Sequence, residues 1–110
     1  MKTTKRQFKE FQREFMDHVE SLGLKDWDIR FVLEEDGNSD AWIRAALATQ
    51  RVEVGLESEI EDDPASLAKH EALELLLYPL RVRMMVYYSE AYVDQEIHKI
   101  IYKLMKVKLK

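Results

Sequence analysis

Trp27-Asp28-Ile29-Arg30-Phe31-Val32-Leu33 decides the fold class, because its period is two. Trp27, Ile29, Phe31 and Leu33 fall on one side; Asp28, Arg30, Val32 and then Glu34 fall on the other. Alternation of this kind marks a strand with one buried face. Two more such runs follow. Ile43, Ala45 and Leu47 alternate with Trp42 and Arg44 on the opposite face, and Val52, Val54 and Leu56 form the third. Asp36-Gly37-Asn38-Ser39 is turn chemistry, and Thr49-Gln50-Arg51 is a short connection. Short links with no crossover helix predict a three-stranded antiparallel meander over residues 26–57.

Working outward, the period changes to 3.6 on both flanks. Phe8, Phe11, Phe15, Val19 and Leu22 make an amphipathic helix within residues 1–25, with Gly23 at the C-cap position. On the other side Asp63 and Pro64 read as N-cap and first helical residue. That helix should run to Tyr78, where Pro79 ends or kinks it. A second helical pattern extends from Arg81 to Val107, with Val93, Ile97, Ile100, Ile101, Leu104 and Val107 as its stripe, so that residues 63–107 form a helical pair. The fold class expected is α+β: an N-terminal helix, the meander, and two C-terminal helices packed on one sheet face.

Composition narrows the function classes. A chain of 110 residues has room for one domain, and 46% apolar with 35% charged residues argues against disorder. The absence of cysteine excludes disulfides, thiolate ligands and a cysteine nucleophile, so any metal must be held by nitrogen and oxygen. Met1 to Arg6 leads into charged helix, not into the apolar stretch of a signal peptide. The longest apolar run, residues 75–80, is far shorter than a membrane span, so a cytoplasmic protein is expected. A net charge of -4 does not suggest a nucleic-acid binder. The acidic stretch 53–63 and the tail of Lys103, Lys106, Lys108 and Lys110 read as solvated surface and a helix end favoured by the macrodipole. Met84-Met85-Val86-Tyr87-Tyr88 reads as core or as a helix junction, with a homodimer contact as the alternative.

The residues with chemical potential lie on the two C-terminal helices. His70 and Glu74 are four apart and share one helix face, and Glu71 is rotated about 100° from His70. In His-Glu-x-x-His helices the outer pair binds zinc and the inner glutamate is the general base. Here the outer pair is a histidine and a glutamate, both competent ligands. A third ligand is available at His98 if the helices pack antiparallel, with Asp94 one turn earlier to orient its imidazole; Glu90 and Glu96 compete for the role. His18 flanks the first helix's apolar stripe with no partner of metal spacing and reads as a surface or boundary histidine.

His70-Glu71-Ala72-Leu73-Glu74-Leu75-Leu76-Leu77 resembles the His-Glu-x-x-His-Leu-x-Leu helix of small zincin-like metallopeptidases often encoded by phages. The strand Trp27-x-Ile29-x-Phe31, the later strands, and the closing stretch from Glu96 to Leu104 are similar to that group as well, so the resemblance spans about residues 27–104. The chain departs from the pattern twice. Glu74 stands where the second histidine belongs, and His98 stands at or beside the expected glutamate. One histidine and one carboxylate have exchanged places, which keeps two histidines and one carboxylate as ligands. The resemblance implies a zinc site of His70, Glu74 and His98, with iron as the other ion such a set can hold. It also implies metal-assisted peptide hydrolysis with Glu71 as base, and Tyr87, Tyr88 or Tyr92 as oxyanion stabiliser. An exposed sheet edge would hold a peptide or protein substrate by strand addition. The alternative is a non-catalytic zincin-like interaction or structural module of a virus, working in the host cytoplasm.

Overall fold

The computed structural model describes residues 2–34 and 39–108. Residues 36–38 of the expected turn and Lys110 of the basic tail lie outside them. Among the described residues no helix is long and apolar enough to cross a membrane.

Helix α1 covers Lys5–Leu22. A capping box starts it: the Thr4 hydroxyl accepts from Gln7 N (3.1 Å) and the Gln7 side chain accepts from Thr4 N (2.8 Å). Gly23 ends it at φ 72°, in the left-handed region where glycine carries no Cβ penalty, and Leu24 N donates to Val19 O. Its buried face, Phe11, Phe15 and Val19, lies against the sheet, where Phe31 meets Phe15 edge-on at 5.6 Å and Phe11 at 6.3 Å.

Strands β1 (Asp28–Leu33), β2 (Ala41–Ala46) and β3 (Arg51–Leu56) form one sheet of order β1-β3-β2. β3 pairs antiparallel with β2 but parallel with β1. The expected antiparallel meander is therefore corrected to a mixed sheet. The reason is burial: Val52, Val54, Gly55 and Leu56 are all buried, so β3 suits the centre, while β1 and β2 carry exposed residues that suit edges. The connection from Glu34 to Asp40 joins strand ends that lie on either side of Leu56. On the outer face Trp42 lies directly over Gly55, where a Cβ would overlap the indole, and the Arg44 guanidinium sits 4.1 Å from the ring centre.

Asp63 caps α2 (Pro64–Met84), accepting from Ser66 N. Pro79 does not end this helix. It continues to Met84, and α3 (Glu90–Met105) begins at Glu90 rather than at Arg81, capped by Ser89. Past the proline, Arg81 is tied by ion pairs and Met84 packs on the second core, contacts that offset the cost of the missing N–H. Met84 closes α2 against the second core, and residues 85–88 are a helix junction, with Val86 and Tyr87 largely exposed.

α2 is apolar on two sides because it serves two cores. Ala68, Ala72 and Leu75 join α1 and the inner sheet face; Leu73 joins Val93, Ile97 and Ile101 of α3. So α2 covers the sheet beside α1, and α3 stacks on α2 instead of on the sheet. The two helices run antiparallel: Arg81 near the end of α2 meets Asp94 near the start of α3, and Lys69 near the start of α2 donates to Met105 O and Val107 O at the other end.

Candidate metal centre

The register of α2 against α3 fixes the site. Val93 and Ile97 face the seam, so the next residues, Asp94 and His98, are turned about 100° to its edge. Glu74 follows the seam residue Leu73 in the same way. His98 Nε2 lies 3.3 Å and His70 Nε2 3.8 Å from the same oxygen, Oε2 of Glu74. The imidazoles stack with ring centres 5.8 Å apart. One ligand atom from each of His70, Glu74 and His98 falls within 4.8 Å of the others, a group that could hold a metal ion. Tetrahedral zinc with bonds of about 2.0–2.1 Å sets neighbouring donors about 3.3–3.4 Å apart, so small side-chain rotations would complete such a set. Each of the three side chains is about a quarter exposed or less.

Hydrogen bonding already favours the needed tautomer at His98. Its Nδ1 lies 2.8 Å from the carbonyl oxygen of Asp94 and 3.4 Å from that residue's carboxylate. With Nδ1 donating, Nε2 is the nitrogen left to meet an ion beside Glu74. Asp94 thus stands where an orienting partner should. The Glu74 carboxylate facing its ring raises the pKa of His70; burial opposes this, and the charges of Glu71 and Glu74 add to it. At 3.8 Å the pair is a long ion contact, outside ordinary hydrogen-bond length. For Glu74, burial pushes the pKa up, but His70, Arg81 and His98 together outweigh it and hold the carboxyl below the usual range.

The three residues line a cleft of about 420 Å³ with Glu71, Tyr78, Arg81, Asp94 and the first residues of β2. Glu71 is only 7% exposed and reaches the cleft beside His70, as its helix position requires. The competing ligands stay away: Glu96 pairs with Lys99, Glu90 occupies the first turn of α3, and neither belongs to the cluster. His18 is on α1, where burial lowers its pKa, and is not in the cluster either. Tyr87, Tyr88 and Tyr92 are exposed residues at the helix junction and do not line the cleft; Tyr78 does, with its hydroxyl donating to Ala45 O.

Sequence reasoning missed Arg81 and Tyr78. Both carry a helical signal: Tyr78 lies four and Arg81 seven residues beyond Glu74, on the same face. It also missed how the edge of β2 is arranged. Glu57 N donates to Asp40 O, so Asp40, Trp42 and Arg44 direct their backbone groups to β3, and Ala41, Ile43 and Ala45 direct theirs outward. Ser39 Oγ occupies Ala41 O and Tyr78 occupies Ala45 O. Between them lies Ile43, which lines the cleft and whose N–H and C=O the same alternation turns away from β3.

Comparison with protein-family models, with curated proteins and with solved structures found no match to this chain.

Proposed function

We propose that this chain is a zinc-dependent hydrolase of zincin type that acts on peptides. One observation carries the reading: two imidazole nitrogens and a carboxylate oxygen, from two helices, converge beside a buried glutamate. His70, Glu74 and His98 would hold the ion, which supplies positive charge to polarise a carbonyl and acidify water. Glu71 takes a proton from the attacking water as its oxygen bonds to the scissile carbon. When the C–N bond breaks, Glu71 returns that proton to the leaving amine. Asp94 holds the His98 tautomer. An extended peptide pairs with Ile43 on the edge of β2, which sets its carbonyl across the cleft.

A second reading is favoured by Arg81, which pairs with Glu74 (3.2 Å) and Asp94 (3.0 Å) and makes the cluster a helix–helix clamp without any ion. On that reading the chain is a non-catalytic interaction module. Dialysis against zinc followed by metal analysis separates the two. The hydrolase should retain about one zinc per chain, lost in His70→Ala and His98→Ala. Glu71→Gln should keep the zinc and lose about 10²- to 10⁴-fold in cleavage of a mixed peptide pool. Folded wild-type protein that retains no zinc sinks the proposal.

A further inference from the structure

The two oxygens of Glu74 have different partners. Oε2 faces both imidazoles, and Oε1 accepts from Arg81 Nη2 at 3.2 Å. The other arm of the same guanidinium, Nη1, reaches Asp94 Oδ1 at 3.0 Å, and that oxygen lies 3.4 Å from His98 Nδ1. Arg81 is 18% exposed, so the fork is held between the helices instead of waving in solvent. A guanidinium is planar and stays charged, and its donors are fixed relative to one another, so it can restrain two carboxylates at once.

A free carboxylate beside a divalent ion can bind through one oxygen or through both. Binding through both would use a coordination position that a hydrolytic site needs for its reactant. We propose that Arg81 is a positioning residue that occupies Oε1 of Glu74, presents Oε2 alone to the ion, and so keeps one coordination position free. This role rests on His70, Glu74 and His98 binding the ion.

The charge of Arg81 makes a second consequence testable. A guanidinium one carboxylate away from a cation repels it, so Arg81 weakens the site's affinity while controlling its geometry. An arginine that merely braced the fold would act the other way, because its loss would loosen the ligands and weaken binding.

The test is cobalt(II) titration of the whole chain, followed by visible absorption, in wild type, Arg81→Met and Arg81→Lys. Four-coordinate cobalt(II) absorbs strongly and five-coordinate cobalt(II) weakly. The wild type should show the strong band, and His98→Ala should lose it. In Arg81→Met the band should weaken several-fold while the dissociation constant stays equal or falls. Arg81→Lys restores charge but only a point donor, and should lie between them. It also carries the test if circular dichroism shows Arg81→Met unfolded. Equal band strength in all three Arg81 forms, or weaker binding with an unchanged band, overturns the role of Arg81 and leaves the metal centre standing. A folded wild type with no cobalt band overturns both.

Discussion

His98 is the one proposed ligand on α3, so His98→Ala separates an ion site from an ion-pair clamp. In metal-free protein the change removes a partly exposed contact with Glu74 at 3.3 Å. Such pairs contribute about 0–1 kcal/mol. For a domain near 100 residues, 1 kcal/mol moves Tm by roughly 4–8 °C, so without metal the variant should melt no more than about 8 °C lower. Zinc at the proposed site should add a larger effect. At free zinc about a hundred times Kd, binding to the folded state alone contributes about 2.7 kcal/mol. That should raise wild-type Tm by roughly 11–22 °C on the same scale. With His98 gone only His70 and Glu74 remain, on adjacent turns of one helix, and the zinc-dependent rise should largely vanish. The assay is differential scanning fluorimetry in buffered zinc and in chelator, with Glu96→Gln as a control that keeps the rise, since Glu96 pairs with Lys99 outside the cluster. An equal zinc-dependent rise in wild type and His98→Ala would refute the reasoning, as would a wild type indifferent to zinc.

Gly55→Ala should destabilise the chain by about 1–3 kcal/mol in urea titration, because the added methyl meets the Trp42 indole; a cost inside about 0.5 kcal/mol would mean that the indole does not rest there. pH gives a further check. The pKa of His70 is raised above 6.5, so its contribution in metal-free protein is complete below the unfolded value and lost as pH rises through the folded one. The carboxyl of Glu74 is held below 4.5, so its contribution is present above that value and lost as pH falls through the folded one. The pair therefore supports the metal-free fold most between about pH 4.5 and 6.5, while zinc binding at the proposed site should strengthen as pH rises and His70 loses its proton. Wild-type Tm minus that of His70→Ala, in chelator, should shrink from pH 6 to pH 8; a constant difference contradicts the assignment.

Local chemistry was legible in the sequence, and long-range pairing was not. Gly23, Asp63 and Pro64 mark helix ends through effects confined to a turn, and the structure has those ends. Period-two alternation located all three strands, because which face is buried is a property of each strand alone. Strand order depends on what lies beside each strand, and the turn chemistry near residues 36–39 suits a hairpin as well as a longer passage. The information was present in a different form: Val52-Glu53-Val54-Gly55-Leu56 offers little polar surface, which suits a strand with neighbours on both sides. Pro79 misled for a related reason. A proline weakens a helix locally, but the contacts of Arg81 and Met84 that carry α2 past it come from α3 and could not be read from the helix itself.

The candidate centre became legible because each helix writes its share at the same offset from a seam. On α2 the buried Leu73 precedes Glu74 by one residue; on α3 Val93 and Ile97 precede Asp94 and His98 by one. A single step turns a side chain about 100°, from the buried seam to its rim, so apolar stripes alone orient both polar sets toward the same edge. What they leave open is the axial register, since sliding α3 by one turn preserves every stripe and moves His98 by about 5.4 Å. That distance would part His98 from Glu74. The register is held at both ends instead, by Arg81 on Asp94 and by Lys69 on the carbonyls of Met105, the last residue of α3, and of Val107 just past it. Neither contact involves a proposed ligand, which is why the His70-Glu71-Ala72-Leu73-Glu74 motif pointed to candidate ligands but not to what brings them together.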